Sequence, residues 1–231
     1  MAYRLLLIVG LFALPSATQT SRAPVLIELF TSEGCSSCPP ADRLLEQLDS
    51  RAVILSEHVD YWNHDGWADP FSSADLTARQ EAYSRRFHIE GPYTPQMVID
   101  GVEQFTGSDA SRAARELAAA ADRPKTPIRL ARTANGIQVN IDNAKTAAGV
   151  FVVLADNSGE SNVSAGENRG RRLHHVSIAR SLRRVGTVER GGKFEKEIAL
   201  GGKARERRVI VFLQEKESGP VSGAVLLMPE K

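Results

Sequence analysis

Cys35 and Cys38 are the only cysteines of the chain, and they stand three positions apart as Cys-Ser-Ser-Cys. On one helical turn that spacing brings two sulfurs within disulfide reach without moving the backbone. At a helix N-terminus, unpaired N–H groups and the positive end of the helix dipole favour a thiolate at the first cysteine. Cys35 is therefore the expected attacking sulfur. Cys38, one turn into the helix, is the shielded sulfur that resolves a mixed disulfide. So short a turn closes almost no loop, and as a staple it would stabilise little, which favours chemistry over support. A static structural disulfide is the competing reading. Two cysteines exclude a four-cysteine zinc site, and a metal shared by both thiolates with His58 or His64 has no recognised ligand spacing behind it. No metal or cofactor is expected.

Such a pair needs a strand to carry the chain to it and a helix to leave from it. Val25 to Thr31 is β-branched and apolar and reads as a buried strand. Pro39 and Pro40 suit a first helical turn, and Leu44, Leu45 and Leu48 follow at helical spacing. A second strand is expected over Val53 to Tyr61, a helix over Asp75 to Phe87 and a third strand over Gln96 to Asp100. An alanine-rich helix follows over Asp109 to Ala121, with Asp109 as its N-cap. After Pro124 the texture changes. Asn135-Gly136 marks a hairpin between Ile128 to Thr133 and Ile137 to Ile141, and Gly191-Gly192 marks another between Val185 to Glu189 and Phe194 to Ile198. Further strands are expected at Gly149 to Ala155, Leu173 to Ala179, Arg208 to Gln214 and Ala224 to Met228.

The first residues have the layout of a secretory leader: Arg4, an apolar run from Leu5 to Leu14, then Pro15 and small residues, with cleavage after Ala17 or Ala23. That run is too short to span a bilayer, so no membrane span is expected in the mature chain. Export places the cysteines where disulfides persist, in the periplasm or outside the cell. Charge is uneven. Residues 24–123 carry 8 Lys and Arg against 17 Asp and Glu, and residues 124–231 carry 19 against 11. Two units of opposite sign are expected to attract each other. Arg169, Arg171, Arg172, Arg180, Arg183, Arg184 and Arg190 form a basic stretch without an aromatic residue for stacking, which reads as a solvated or docking face and not as a nucleic-acid site.

The segment Tyr93-Thr94-Pro95-Gln96-Met97-Val98 resembles the part of thioredoxin-fold proteins that presents a cis-proline to the Cys-x-x-Cys. Phe30-Thr31-Ser32-Glu33-Gly34-Cys35-Ser36-Ser37-Cys38-Pro39-Pro40-Ala41-Asp42, with His58-Val59-Asp60-Tyr61-Trp62, is similar to a family of secreted bacterial thioredoxin-like proteins of unknown function. That family also covers Gly166-Glu167-Asn168-Arg169-Gly170-Arg171. The resemblance implies that Pro95 is the cis residue and that the backbone of Thr94 pairs with a bound peptide. It also makes Glu28 the counterpart of the buried acid that moves protons at the second cysteine, although Glu28 lies one residue further from the pair. Two departures stand out: Gly34 replaces the usual aromatic before the first cysteine, and Ser36-Ser37 lacks the proline of thioredoxin and the histidine of strong oxidants.

The expected fold is α/β: a leader over 1–23, a thioredoxin-like domain over 24–123 and a β-sandwich-like all-β domain over 124–231. The expected function is an exported thiol–disulfide oxidoreductase acting on protein or peptide thiols, with Cys35, Cys38 and Glu28 catalytic and an unidentified redox partner. Thr94, Pro95 and Trp62 would bind substrate, Trp62 belonging to a loop that either forms a peptide-binding lip or packs on the adjacent helix. The alternative is a non-catalytic binding or redox-sensing module with a structural disulfide.

Overall fold

The computed structural model describes residues 24–64 and 66–230, so the expected leader lies outside the described residues. The first half forms β1 (Leu26–Thr31), α1 (Pro39–Leu48), β2 (Val53–His58), α2 (Ala74–Phe87), β3 (Gln96–Ile99), β4 (Glu103–Thr106) and α3 (Ala110–Ala121). The second half forms β5 (Ile128–Arg132), β6 (Gly136–Ile141), β7 (Ala148–Asn162), β8 (Arg172–Val188), β9 (Phe194–Ala199), a short 3-10 helix (Gly202–Glu206), β10 (Arg208–Gln214) and β11 (Val221–Leu227). The helices begin where their caps dictate. Prolines fill the first two positions of α1, the Ser73 hydroxyl accepts the Leu76 N–H to start α2, and Asp109 accepts the Arg112 N–H to start α3. None of the described helices is long and apolar enough to cross a membrane.

An eight-stranded mixed sheet has the order β11-β10-β7-β8-β2-β1-β3-β4, and a three-stranded antiparallel sheet has the order β5-β6-β9. Strands from both sides of Pro124 therefore share one sheet. They meet where β8 runs parallel to β2 through Ser56 and Ile178, and the Ser177 hydroxyl donates to the Ile54 carbonyl at 2.6 Å. The expected β-sandwich is realised only in that the small sheet packs Ile137, Val139 and Ile141 on Val150, Val152, Val209 and Val211. Residues 148–153 of β7 are all buried, the mark of a strand covered on both faces and not of a sandwich strand with one wet face.

The second expected hairpin is not formed. β9 pairs with β6, because the Gly191–Gly192 turn is pinned to Ala144: Gly191 N–H donates to the Ala144 carbonyl and Ala144 N–H to the Gly192 carbonyl. β8 runs unbroken through the segments expected as two strands, and β4 was not anticipated.

Period-two alternation divides the residues of β1 between two layers. Ile27 and Leu29 join Leu45 and Leu48 of α1 and Leu117 of α3. Leu26 and Phe30 turn the other way, toward Leu76 and Tyr83 of α2. Ion pairs also bridge the halves: Arg208 grips Asp49 with paired bonds of 2.6 Å, and Lys125 bonds Asp100, which accepts the Leu26 N–H.

Candidate functional site

β1 delivers the chain to Thr31, and the next residues fold into a tight loop. Cys35 N–H bonds the Ser32 carbonyl and Cys38 N–H bonds the Cys35 carbonyl, each at 3.2 Å. Cys35 and Cys38 are joined as a disulfide with Cα atoms 5.5 Å apart. Helix α1 starts later than expected. Cys38 is its N-cap, not a residue one turn inside, and Cys35 lies in the turn that precedes it. Proline cannot donate to a helix, so Pro39 and Pro40 fix the start just after Cys38. Nor do the cysteines differ in exposure as expected: Cys35 is 1% and Cys38 0% exposed, while Ser36 and Ser37 between them face solvent. The Ser37 hydroxyl lies 3.4 Å from Cys35 Sγ.

Three expected site residues meet on one side of this loop. The Thr94–Pro95 bond is cis, and Trp62 Nε1–H donates to Thr94 Oγ1 at 2.8 Å. Pairing of Phe30 with Gln96 sets Pro95 level with the end of β1. The departure at residue 34 has a local cause. A Cβ on Gly34 would sit 2.9 Å from Trp62 Cβ and 3.0 Å from the Trp62 carbonyl oxygen, so Trp62 occupies the space that a side chain before Cys35 would need.

The opposite side of the loop is covered by the β7–β8 connection, which sequence reasoning did not place at the site. Asn168, 1% exposed, donates through its side-chain amide to the carbonyls of Glu33 at 2.8 Å and Cys35 at 2.9 Å. Glu167 accepts the Ser36 N–H at 2.9 Å, and Arg171 orients Asn168 by donating to its side-chain oxygen at 2.8 Å. The available signal was the Gly-Glu-Asn-Arg-Gly-Arg run itself, whose glycines Gly166 and Gly170 adopt positive φ of 71° and 81° to shape the tip.

Beneath the loop lies a buried polar cluster. Glu33 accepts from Trp67 Nε1 at 2.9 Å and from the Ser161 hydroxyl, and sits 3.3 Å from His175 Nε2. The other nitrogen of His175 is 3.7 Å from Asp42, which accepts the Thr31 hydroxyl at 2.9 Å. Burial alone pushes the His175 imidazole down, but Asp42 and Glu33 more than reverse this and hold it up at about 9. His58 lies edge-on to His175 with ring centres 4.5 Å apart, and its Nδ1 bonds Asp69 at 2.7 Å. Burial pushes Asp69 up, yet His58 and the N–H groups of Glu33 and Phe71 hold it below the usual carboxylate range. Among the described residues no group of three or more His, Cys, Asp or Glu side chains has the geometry to hold a metal ion.

Glu28 belongs elsewhere. It shares the α2 layer with Leu26 and Phe30, accepting from Arg79 Nε at 2.7 Å and from the Tyr83 hydroxyl at 2.6 Å, whereas α1 and its cysteine N-cap pack on the other layer. The expected acid of the cysteine pair is thus a structural partner of Arg79. Burial and then the charge of Glu28 push neighbouring Glu57 well up.

No curated protein matches the chain. A crystal structure of a protein from Agrobacterium tumefaciens is 26% identical, with a TM-score of 0.80 over 92% of this chain and 97% of that one. HBP35 of Porphyromonas gingivalis, 15% identical with a TM-score of 0.58 over 91% of this chain and 76% of that one, shares the fold. A family model covers residues 26–214, and with them both the cysteine loop and the β7–β8 tip that caps it. The chain belongs to that family, described as protein of unknown function (DUF1223).

Proposed function

We propose that the chain exchanges disulfides with exported proteins through Cys35 and Cys38, on a thioredoxin-like arrangement of β1, the cysteine turn, α1 and the Thr94–Pro95 corner. The observation that carries this reading is the Cys35–Cys38 disulfide in the turn that leads into α1. A substrate thiolate attacks Cys35 Sγ, the Cys35–Cys38 bond breaks, and its electron pair leaves on Cys38 as a thiolate. A second substrate thiolate then attacks the mixed disulfide and releases Cys35. Two electrons and two protons pass from the substrate dithiol to the cysteines, and a second partner protein of the disulfide class reoxidises them. Starting from the dithiol, the same steps run backwards and reduce a substrate. Thr94 and Trp62, already hydrogen-bonded to each other, are placed to meet the substrate chain.

Burial of both cysteines favours a second reading, a structural disulfide within a binding module. Capture separates the two. With Cys38→Ser, a substrate held by Cys35 has no resolving thiol and accumulates as a mixed disulfide on non-reducing gels of exported proteins; with Cys35→Ser capture is lost. Equal trapping by both variants, or by neither, refutes the exchange reading. The reduction potential then gives direction: about −120 mV marks an oxidant and about −270 mV a reductant.

A further inference from the structure

A thiolate must approach a disulfide sulfur in line with the bond it breaks, and in this protein both cysteines are closed off from solvent. On the β7–β8 side the loop that carries them is held by two consecutive residues, the exposed Glu167 and the buried Asn168. Asn168 donates to the carbonyls of Glu33 and Cys35, and Glu167 accepts the N–H of Ser36, so three backbone groups spanning the first cysteine are held by side chains more than 130 positions away. The tip is secured on its own account by Gly170 N–H to the Val163 carbonyl and Arg171 N–H to the Asn168 carbonyl. It can therefore part from the cysteine loop without unravelling.

We infer that Asn168 and Glu167 are positioning residues that latch the β7–β8 tip over Cys35 and set how fast its disulfide exchanges. This rests on the exchange reading above. The latch acts on two quantities. Asn168 fixes the carbonyl of Cys35, and with it the cysteine backbone, in the closed loop. Glu167 places a carboxylate on an N–H beside Cys35, where it repels an incoming thiolate. A substrate or partner that draws the tip aside removes both restraints at once.

The test is the rate at which dithiothreitol reduces the disulfide of the folded, oxidised protein, followed by alkylation and mass. The reagent thiolate attacks Cys35 and Cys38 leaves; the second reagent thiol closes its own ring and frees Cys35, so two electrons and two protons move to the cysteines. Asn168→Leu keeps the bulk of the side chain but removes both donated bonds without adding a charge beside Cys35. Two lost hydrogen bonds correspond to about a tenfold faster reduction. Glu167→Gln, at an exposed position, is expected to accelerate reduction severalfold and to lower the pH at which the freed Cys35 thiol is alkylated. Hydrogen exchange of the β1 amides is measured alongside. Faster reduction with unchanged β1 exchange supports the latch. Equal, measurable rates in all three proteins overturn it while leaving the exchange reading intact, and acceleration matched by equally faster β1 exchange also overturns it, because the whole fold has then loosened. A disulfide inert in all three folded proteins defeats the exchange reading itself.

Discussion

His175 stands between two buried carboxylates, and only a protonated imidazole has a donor for each side. Its ordinary value of 6.5 is held up at about 9 in the folded protein: burial opposes the charge, but the nearby carboxylate of Asp42 and the bonded carboxylate of Glu33 outweigh it. A folded value above the unfolded one gives stability that is fully present below pH 6.5 and is lost as pH rises through 9. At roughly 1.4 kcal/mol for each tenfold change in proton affinity, the loss is on the order of 3 kcal/mol. His175→Gln keeps a neutral hydrogen-bonding side chain but cannot carry the charge. Urea unfolding of the oxidised protein at pH 6 and pH 9.5 reads the effect directly. The native protein is expected to lose about 3 kcal/mol more than the variant across that interval, or about 1 M in midpoint. Glu57, also raised, biases stability in the same direction from its own ordinary value upward, but it does so in both proteins and cancels in the comparison. Parallel profiles for the two proteins between pH 6 and 9.5 would refute the assignment of a charged His175.

Two further outcomes follow from single contacts. Gly34→Ala drives a Cβ against the Trp62 Cβ and carbonyl, neither of which can rotate away, and is expected to cost about 2 kcal/mol and to disturb the Trp62–Thr94 bond; an unchanged thermal midpoint and indole NMR signal contradict it. Asp49→Ala leaves Arg208, 3% exposed in its side chain, with Asn157 as its remaining bonded partner and is expected to cost about 3 kcal/mol, whereas Arg208→Met, which removes the buried charge, costs less; equal losses in denaturant unfolding would show that the pair is not a buried one.

The elements nearest the cysteines were legible because their signals are local. Pro39 and Pro40 announce α1, Asp109 caps α3, and β-branched runs give β1, β2 and β10 within a few residues. The polar partners of the site were not legible, because the residues that contact the cysteine loop come from far along the chain: Asn168 is 133 positions from Cys35 and His175 is 142 from Glu33. No periodicity encodes such a pairing. Glu28 shows a different failure. The resemblance suggested a proton carrier although Glu28 lies one residue further from the pair, but a strand turns successive side chains to opposite faces, and residue 28 falls on the face of Arg79. The arginine stretch concealed β8 similarly: exposed arginines at 180, 183 and 184 read as a solvated segment, while the backbones of Arg183 and Arg184 continue the ladder with β7 and Arg180 falls at a bulge in it.

The two buried polar clusters bear on how the site could have arisen, for both draw on the second half. Gln214 of β10 accepts from Arg79 and donates to Tyr83 in the layer of α2. His175, Ser161 and Asn168 complete Glu33 and the Cys35 carbonyl in the layer of α1. A buried polar group without its partner costs about 1–3 kcal/mol, more if charged. The first half alone would leave Glu33 and Asp42 without His175 and Arg79 without its Gln214 bond. β8 is the element that prevents it: by pairing with β2 it carries His175 under the cysteine loop, and its connection to β7 brings Asn168 over it. The same strand thus supplies the floor of the disulfide site and anchors its cover, the short tip between Val163 and Arg171.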